Sequence, residues 1–308
     1  MTMDRKPRIA VVGGANVDLT AAPSVKYVPG DSCPGTVTLS YGGVGRNIAH
    51  NLVLMGCEVA LVTAFGDDVL SAGLKSDCAR LGIDTRHAVT IAGAACSTFV
   101  SINDEHGEMM SAVAAMDVID YLTPELMSER IDMLNACDIV VLEANLPAAT
   151  IAYLLDNCTV PVFADTVSTA KSHKLFGALA PSRRLHTLKL NRIEALELIG
   201  ADAATPEAFD TAVASLLQRG VERVLITLGS QGCYYHDSTG SGIVPCEKVP
   251  VASVSGGGDA FLSGAVLAFS KGLDVNSTIK CALRAAALTV QCVEAVNPQI
   301  NEKYVLSE

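Results

Sequence analysis

Short apolar runs rich in Val, Ile and Leu recur along the chain, and between them lie stretches whose apolar residues return every three or four positions. The runs at 8–13, 58–64, 138–143, 161–165, 187–190 and 223–227 have the length and β-branched content of buried strands. Between them, Val44, Ile48, Leu52 and Met55, and later Phe209, Val213, Leu216 and Leu217, follow the helical period. This alternation predicts an α/β fold with a mostly parallel central sheet and helices on both faces. Ligands of such sheets bind beyond the C-terminal strand ends. Loops beginning near Gly13, Glu143, Asp165, Asn191 and Gly229 are therefore expected to gather into a site. Residues 19–40 and 96–115 break the rhythm and read as strands and turns, with NDEHG at 103–107 as a hairpin turn. Two such excursions are expected to pair as a small β-sheet lid; ordinary surface hairpins are the alternative.

No repeat, low-complexity tract or linker divides the 308 residues, so 1–308 is expected to form a single domain. Half the residues are hydrophobic, which supplies a large core and excludes a disordered chain. No stretch reaches the roughly 20 uncharged apolar residues that span a bilayer, and the first residues carry no secretory pattern. Net charge is −11 without a basic run, which speaks against nucleic acid or an anionic membrane as partner. Ten cysteines without a CxxC pair, including Cys137 before a strand and Cys281 and Cys292 in a late helical run, read as reduced thiols in a cytoplasmic protein. Six histidines lack the spacing of a zinc site, and the absence of tryptophan disfavours a base-stacking platform.

Candidate chemistry gathers at glycines. In SVSGGGDAFLSG at 253–264, Gly256, Gly257 and Gly258 leave backbone N–H groups open at a predicted helix start. Such donors, with the helix dipole, suit the charge of a transferred phosphoryl group. Asp259 beside them can accept a proton from an attacking hydroxyl. A glycine-rich turn with Asp259 as N-cap or first-turn acid fits the same residues. TLGSQG at 227–232 follows a strand, and its small residues allow a nucleotide to approach the backbone; a plain turn is the alternative. It is no Walker A loop, and GGANVD after the first strand is no GxGxxG. Asn16 and Asp18, two apart, can aim one way from an extended loop and grip a cis-diol. Gly42 and Gly43 open a helix that carries Asn47.

Taken in order, N-x-D, GG-x-G-x-N, N-x-x-E at 191–194, T-x-G-x-x-G and G-G-D resemble the ribokinase-like (pfkB-type) carbohydrate kinases over essentially the whole chain. PGDSCPG at 29–35, GGVGRNIAHNL at 42–52, DTVSTAK at 165–171 and HTLKLNRIEA at 186–195 are most similar to its pseudouridine-phosphorylating branch. The resemblance implies a ribokinase-like fold with a small β-sheet lid, commonly shared in a homodimer, and ATP-dependent phosphorylation of the 5′-hydroxyl of pseudouridine. It implies Asp259 as base, with Gly256 and Gly258 in the anion hole. Asn16, Asp18, Gly43 and Asn47 would hold the ribose, with Lys171 reaching in. Asn191 would order the phosphates and Glu194 a Mg²⁺ ion through water. Thr227, Gly229 and Gly232 would line the ATP site, with Lys189 nearby. Glu143, at a strand end, fits either the substrate pocket or an exposed position. The uracil edge is expected to meet the 165–171 loop and Asp31–Ser32.

Two departures stand out. Ser255 and Gly257 replace the family's threonine and alanine, the latter loosening the turn by about 0.5–1 kcal/mol. Ser253 stands where the family often has an acid, which puts a monovalent-cation site in doubt. A kinase for another nucleoside or a sugar such as ribose, adenosine or fructose is the nearest rival reading. A catalytically idle nucleoside-binding regulator is the other, opposed by Asp259, Gly258, Asn191 and Glu194 occurring together.

Overall fold

Four of the five side chains of the first strand, Arg8–Val12, are buried in the computed structural model, which describes residues 5–201 and 205–307. Residues 1–4, the first of the stretch read for a leader, lie outside the described part. Ala10 and Val12 face one core layer, Ile9 and Val11 the other, as the two-residue period of a strand requires. The first layer packs on helices Ala148–Asn157, Thr169–Ala178 and Pro206–Leu217. The second packs on Val44–Leu54, Val69–Arg80, Gly257–Ser270 and Val275–Thr289.

The eight-stranded sheet runs Gly240–Val244, Cys233–Asp237, Val221–Thr227, Leu185–Asn191, Val162–Asp165, Ile139–Glu143, Arg8–Val12, Glu58–Val62. The last six are parallel, and the first two extend the sheet antiparallel. The predicted run at 58–64 breaks at Thr63, after which Ala64–Phe65 pairs with Val89–Thr90. The late helix ends at Thr289, so Cys292 lies beyond it rather than in it.

The two irregular segments pair with each other. Asn16–Pro23 runs parallel to Thr98–Asn103, and each forms a hairpin, with Gly35–Gly42 and Met109–Ala115, giving a four-stranded sheet. At the second hairpin turn the Asp104 carboxylate accepts from the N–H groups of His106 and Glu108. Asn16 and Asp18 therefore sit on a strand of this small sheet rather than in a loop. All five residues of Ile139–Glu143 are buried, whereas all seven of Met109–Ala115 are exposed. Burial of a Val, Leu or Ile contributes about 1.5–3 kcal/mol, so packing fixes the large sheet far more firmly than the small one. Among the described residues no helix is long and apolar enough to cross a membrane.

Candidate functional site

At the C-terminal end of the parallel strands three adjoining cavities lie in a row. The first, about 300 Å³, takes Asn16, Asp18, Ser97 and Phe99 from the small sheet and its approach. Gly43 and Asn47 come from the first helix, Asn145, Val167 and Lys171 from strand-end loops, and Gly256 and Asp259 from the glycine segment. Strand alternation puts Asn16 and Asp18 on one side, where Asn16 Nδ2 donates to Asp18 Oδ1 at 2.6 Å. Burial raises the pKa of Asp18, against the pull of Asn16 and the Arg46 guanidinium. Lys171 Nζ donates to Asn145 Oδ1. Burial lowers the lysine's pKa, opposed by the nearby Glu143 carboxylate.

Asp259 lies in the first turn of helix Gly257–Ser270, and its Oδ2 accepts from Asn47 Nδ2 at 2.9 Å. Burial, then the neighbouring Asp165 charge, push its pKa up to about 7, while Asn47 and Lys189 pull the other way. A carboxylate so tuned accepts and releases a proton near neutrality. The turn before it needs its glycines. Gly256 has φ +73°, and a Cβ there would stand 1.8 Å from the Ala295 carbonyl oxygen. At Gly258 a Cβ would stand 2.8 Å from Lys189 Nζ, so the missing side chain lets that charge approach the helix start. Ser253 Oγ is engaged by the Ser255 N–H at 3.1 Å.

Lys189, Asp165, Asn191, Thr227, Gly229, Gly258 and Asp259 border the middle cavity, about 440 Å³. Lys189 Nζ donates to Asp165 Oδ2 at 3.0 Å. Burial works to lower the lysine's pKa, but Asp165, helped by Glu194 and Asp259, outweighs it and raises it. Asn191 closes its strand and caps the next helix in a reciprocal box with Glu194. Glu194 is fully buried, its Oε2 also accepting from the Thr166 hydroxyl, and it stands behind the cavity wall rather than in it. The third cavity, about 580 Å³, joins Thr227, Gly229 and Gly232 to Val251, Val254, Leu283, Ala286 and Val290.

Glu143 is neither an exposed acid nor a wall of the first cavity. Fully buried, with its pKa raised by that burial, it accepts from Gly14 N–H at 2.6 Å and from Asn145 N–H at 2.7 Å. Asp31 and Ser32 are exposed and outside the lining of the first cavity. Asn145, Ser97, Phe99, Met116 and Ile119 line it unannounced. Asn145 was signalled only by its position two residues past a parallel strand's end; the others needed the pairing of the small sheet.

The profile described as pfkB family carbohydrate kinase matches residues 6–302. Pseudouridine kinase from Escherichia coli (strain K12) is 30% identical over 99% of this chain and 97% of its own length. The uncharacterized sugar kinase YeiI of the same organism is 31% identical over 96% of this chain and 82% of its own length. The structure of Arabidopsis thaliana ribokinase complexed with ribose and ATP superimposes with a TM-score of 0.84 at 22% identity, covering 98% of each chain.

Proposed function

Because the chain belongs to the pfkB family of carbohydrate kinases, we propose that it transfers the terminal phosphoryl group of ATP to the 5′-hydroxyl of pseudouridine. The observation that carries this reading is the place of Asp259, which borders both the first and the middle cavity with a pKa of about 7. The ribose lies against Asn16, Asp18 and Asn47, with Lys171 beside it. Phe99, Met116 and Ile119 offer an apolar wall to a planar base, which favours a nucleoside over a free sugar. Asp259 takes the hydroxyl proton, the oxygen attacks the γ-phosphorus, and the bond from that phosphorus to the β–γ bridging oxygen breaks. Charge passing to the transferred oxygens and to ADP meets the N–H groups of Gly256–Gly258 and the buried Lys189 ammonium. The adenine lies between Val251, Val254 and the helix carrying Leu283 and Ala286.

The donor set fits a Mg²⁺ ion held mainly by phosphates and water. Asn191 borders the middle cavity, while Glu194, behind it, is limited to indirect contact. Bound there, the ion supplies charge neutralisation between the phosphates. The small sheet acts as a lid that excludes water from the transfer. Its cavity-facing row holds Asp18 and Phe99; on the opposite face Leu39, Val100 and Val113 are exposed, while Leu19 between them packs partly on the second core layer. Val113 is 65% exposed and Leu39 46%, an apolar stripe that suits a second copy of the chain, hence a homodimer. Light scattering on the chain and on Val113→Glu checks this, a monomer in both cases being the contrary result. Ten free thiols suit a reducing, cytoplasmic setting.

The test is ADP release with pseudouridine, uridine, adenosine, ribose and fructose, with the phosphate position read by NMR. Uridine lacks the N1–H of pseudouridine; a site that pairs that donor leaves a buried acceptor unpaired when uridine binds, at about 1–3 kcal/mol, so pseudouridine should lead by about five- to 150-fold in kcat/KM. A lead for a free sugar would replace the acceptor and favour the reading that the likeness to YeiI carries.

A further inference from the structure

Beyond the buried strand Val162–Asp165 the chain makes a turn that its residues would not choose. Val167 has φ +65°, the one non-glycine residue of positive φ among the described residues. That backbone crowds Cβ against the neighbouring carbonyl, most severely for a β-branched side chain. Ser168 N–H donates to the Thr166 carbonyl at 2.7 Å, an i→i+2 bond that with this φ marks the rare, strained form of γ-turn. Buried groups hold the turn in place. Asp165 Oδ1 accepts the Val167 N–H at 2.7 Å, Asp165 Oδ2 is fixed by Lys189 at 3.0 Å, and the Thr166 hydroxyl donates to Glu194. Strain kept by its surroundings is a pointer to function.

Three residues border both the first and the middle cavity: Val44, Val167 and Asp259. Glycine is the residue this φ favours; the valine forgoes that ease and sets an isopropyl group where the two cavities meet. We propose that Val167 is a wall residue of the transfer step, its isopropyl group keeping water off the path between acceptor oxygen and phosphorus. This rests on the kinase reading above. Asp259 does not distinguish a sugar hydroxyl from water: with water as nucleophile it takes the same proton, the same phosphorus–oxygen bond breaks, and ADP and inorganic phosphate leave. An apolar group at the seam, packed against the core behind it, removes the room that this water needs. The turn also launches helix Thr169–Ala178, which carries Lys171 to the first cavity.

The test compares Val167→Ala and Val167→Gly with the full-length parent, measuring nucleoside phosphorylation, ADP release without acceptor, and thermal midpoint. In ordinary backbone a glycine melts below alanine; here Val167→Gly should melt above Val167→Ala by about 2–4 °C, because only glycine relieves the left-handed strain. Both variants should lose coupling, with ADP release in the absence of acceptor rising about tenfold in the glycine variant. Parental coupling in both, or alanine melting above glycine, overturns the assignment while the kinase reading stands. A parent that phosphorylates nothing in the panel overturns the kinase reading and the wall with it.

Discussion

The two ends of the cleft are made of different material. The end proposed for the acceptor, about 300 Å³, sets an apolar patch of Phe99, Met116 and Ile119 beside polar side chains tied to one another: Asn47 to Asp259 and Asn145 to Lys171 across long sequence distances, Asn16 to Asp18 along one strand. The nucleotide end, about 580 Å³, is walled by glycine backbone and by Val251, Val254, Leu283, Ala286 and Val290. Apolar walls supply affinity in proportion to area, about 25 cal/mol per Å², and discriminate weakly. Fixed polar groups discriminate strongly, because a wrong ligand leaves them unpaired in a buried place. The same burial that gives the acceptor end its selectivity raises the pKa values of Asp18 and Asp259 and lowers that of Lys171. On the proposed reading, chemistry belongs at that end, and adhesion at the other.

The sharpest way to break this contrast is Asp259→Asn. Turnover should fall by about 10²–10⁴, the span of general-base catalysis, while nucleotide affinity barely moves. The pH behaviour separates base from bystander. With a folded pKa of about 7 against an ordinary 3.8, Asp259 binds its proton more tightly folded than unfolded. The stability it contributes is complete below pH about 4 and is lost as pH rises through about 7. Parent kcat/KM should therefore climb tenfold per pH unit up to about 7 and then level. The asparagine variant, which has no proton to lose, should exceed the parent in stability at pH 8 by about 2–4 kcal/mol, the gap closing toward pH 4. Near-parental turnover, or a gap independent of pH, sinks the assignment.

At the nucleotide end a methyl group should do what charge removal does at the other. Gly232 has φ +96°, and a Cβ there would meet the Val244 carbonyl oxygen at 2.0 Å. Gly232→Ala must shift the backbone of that wall, at about 1–3 kcal/mol of stability. The Michaelis constant for ATP should rise about ten- to 100-fold, with that for the nucleoside nearly unchanged. A rise confined to the nucleoside would show that the two ends are not built independently.

Legibility in the sequence followed the same division. Apolar runs announced the parallel strands because burial on both faces leaves only Val, Ile and Leu, and the glycines at 256–258 announced the tight turn into the helix that starts at Gly257. Asp259 and Asn47 were named singly, and only folding brings them to 2.9 Å. Glu143 defied its strand-end position because the Gly14 and Asn145 amides drew it inward, while Glu194 was taken up by a helix cap. Cys292 escaped the late helix, whose apolar pattern outlasts its hydrogen bonds by a few residues. The γ-turn at Val167 was illegible in principle, since propensity argues against the conformation that the fold imposes.

The mildest test asks how much of the proposed anion hole depends on the middle glycine, Gly257. Gly257 opens helix Gly257–Ser270, and its φ lies outside the left-handed region, so an alanine can adopt its backbone. An added Cβ would meet only Val290 Cγ1, at 3.0 Å, and Val290 borders the open third cavity into which it can yield. Gly257→Ala removes freedom from the unfolded chain at no cost to the N–H groups on either side. Stability should rise by about 0.4–1 kcal/mol in denaturant titration. Turnover should stay within about twofold of the parent, because the donors keep their direction. A large loss of turnover would mean that Val290 cannot move and that the wall of the nucleotide end is as tightly fitted as the acceptor end, which would remove the contrast between them.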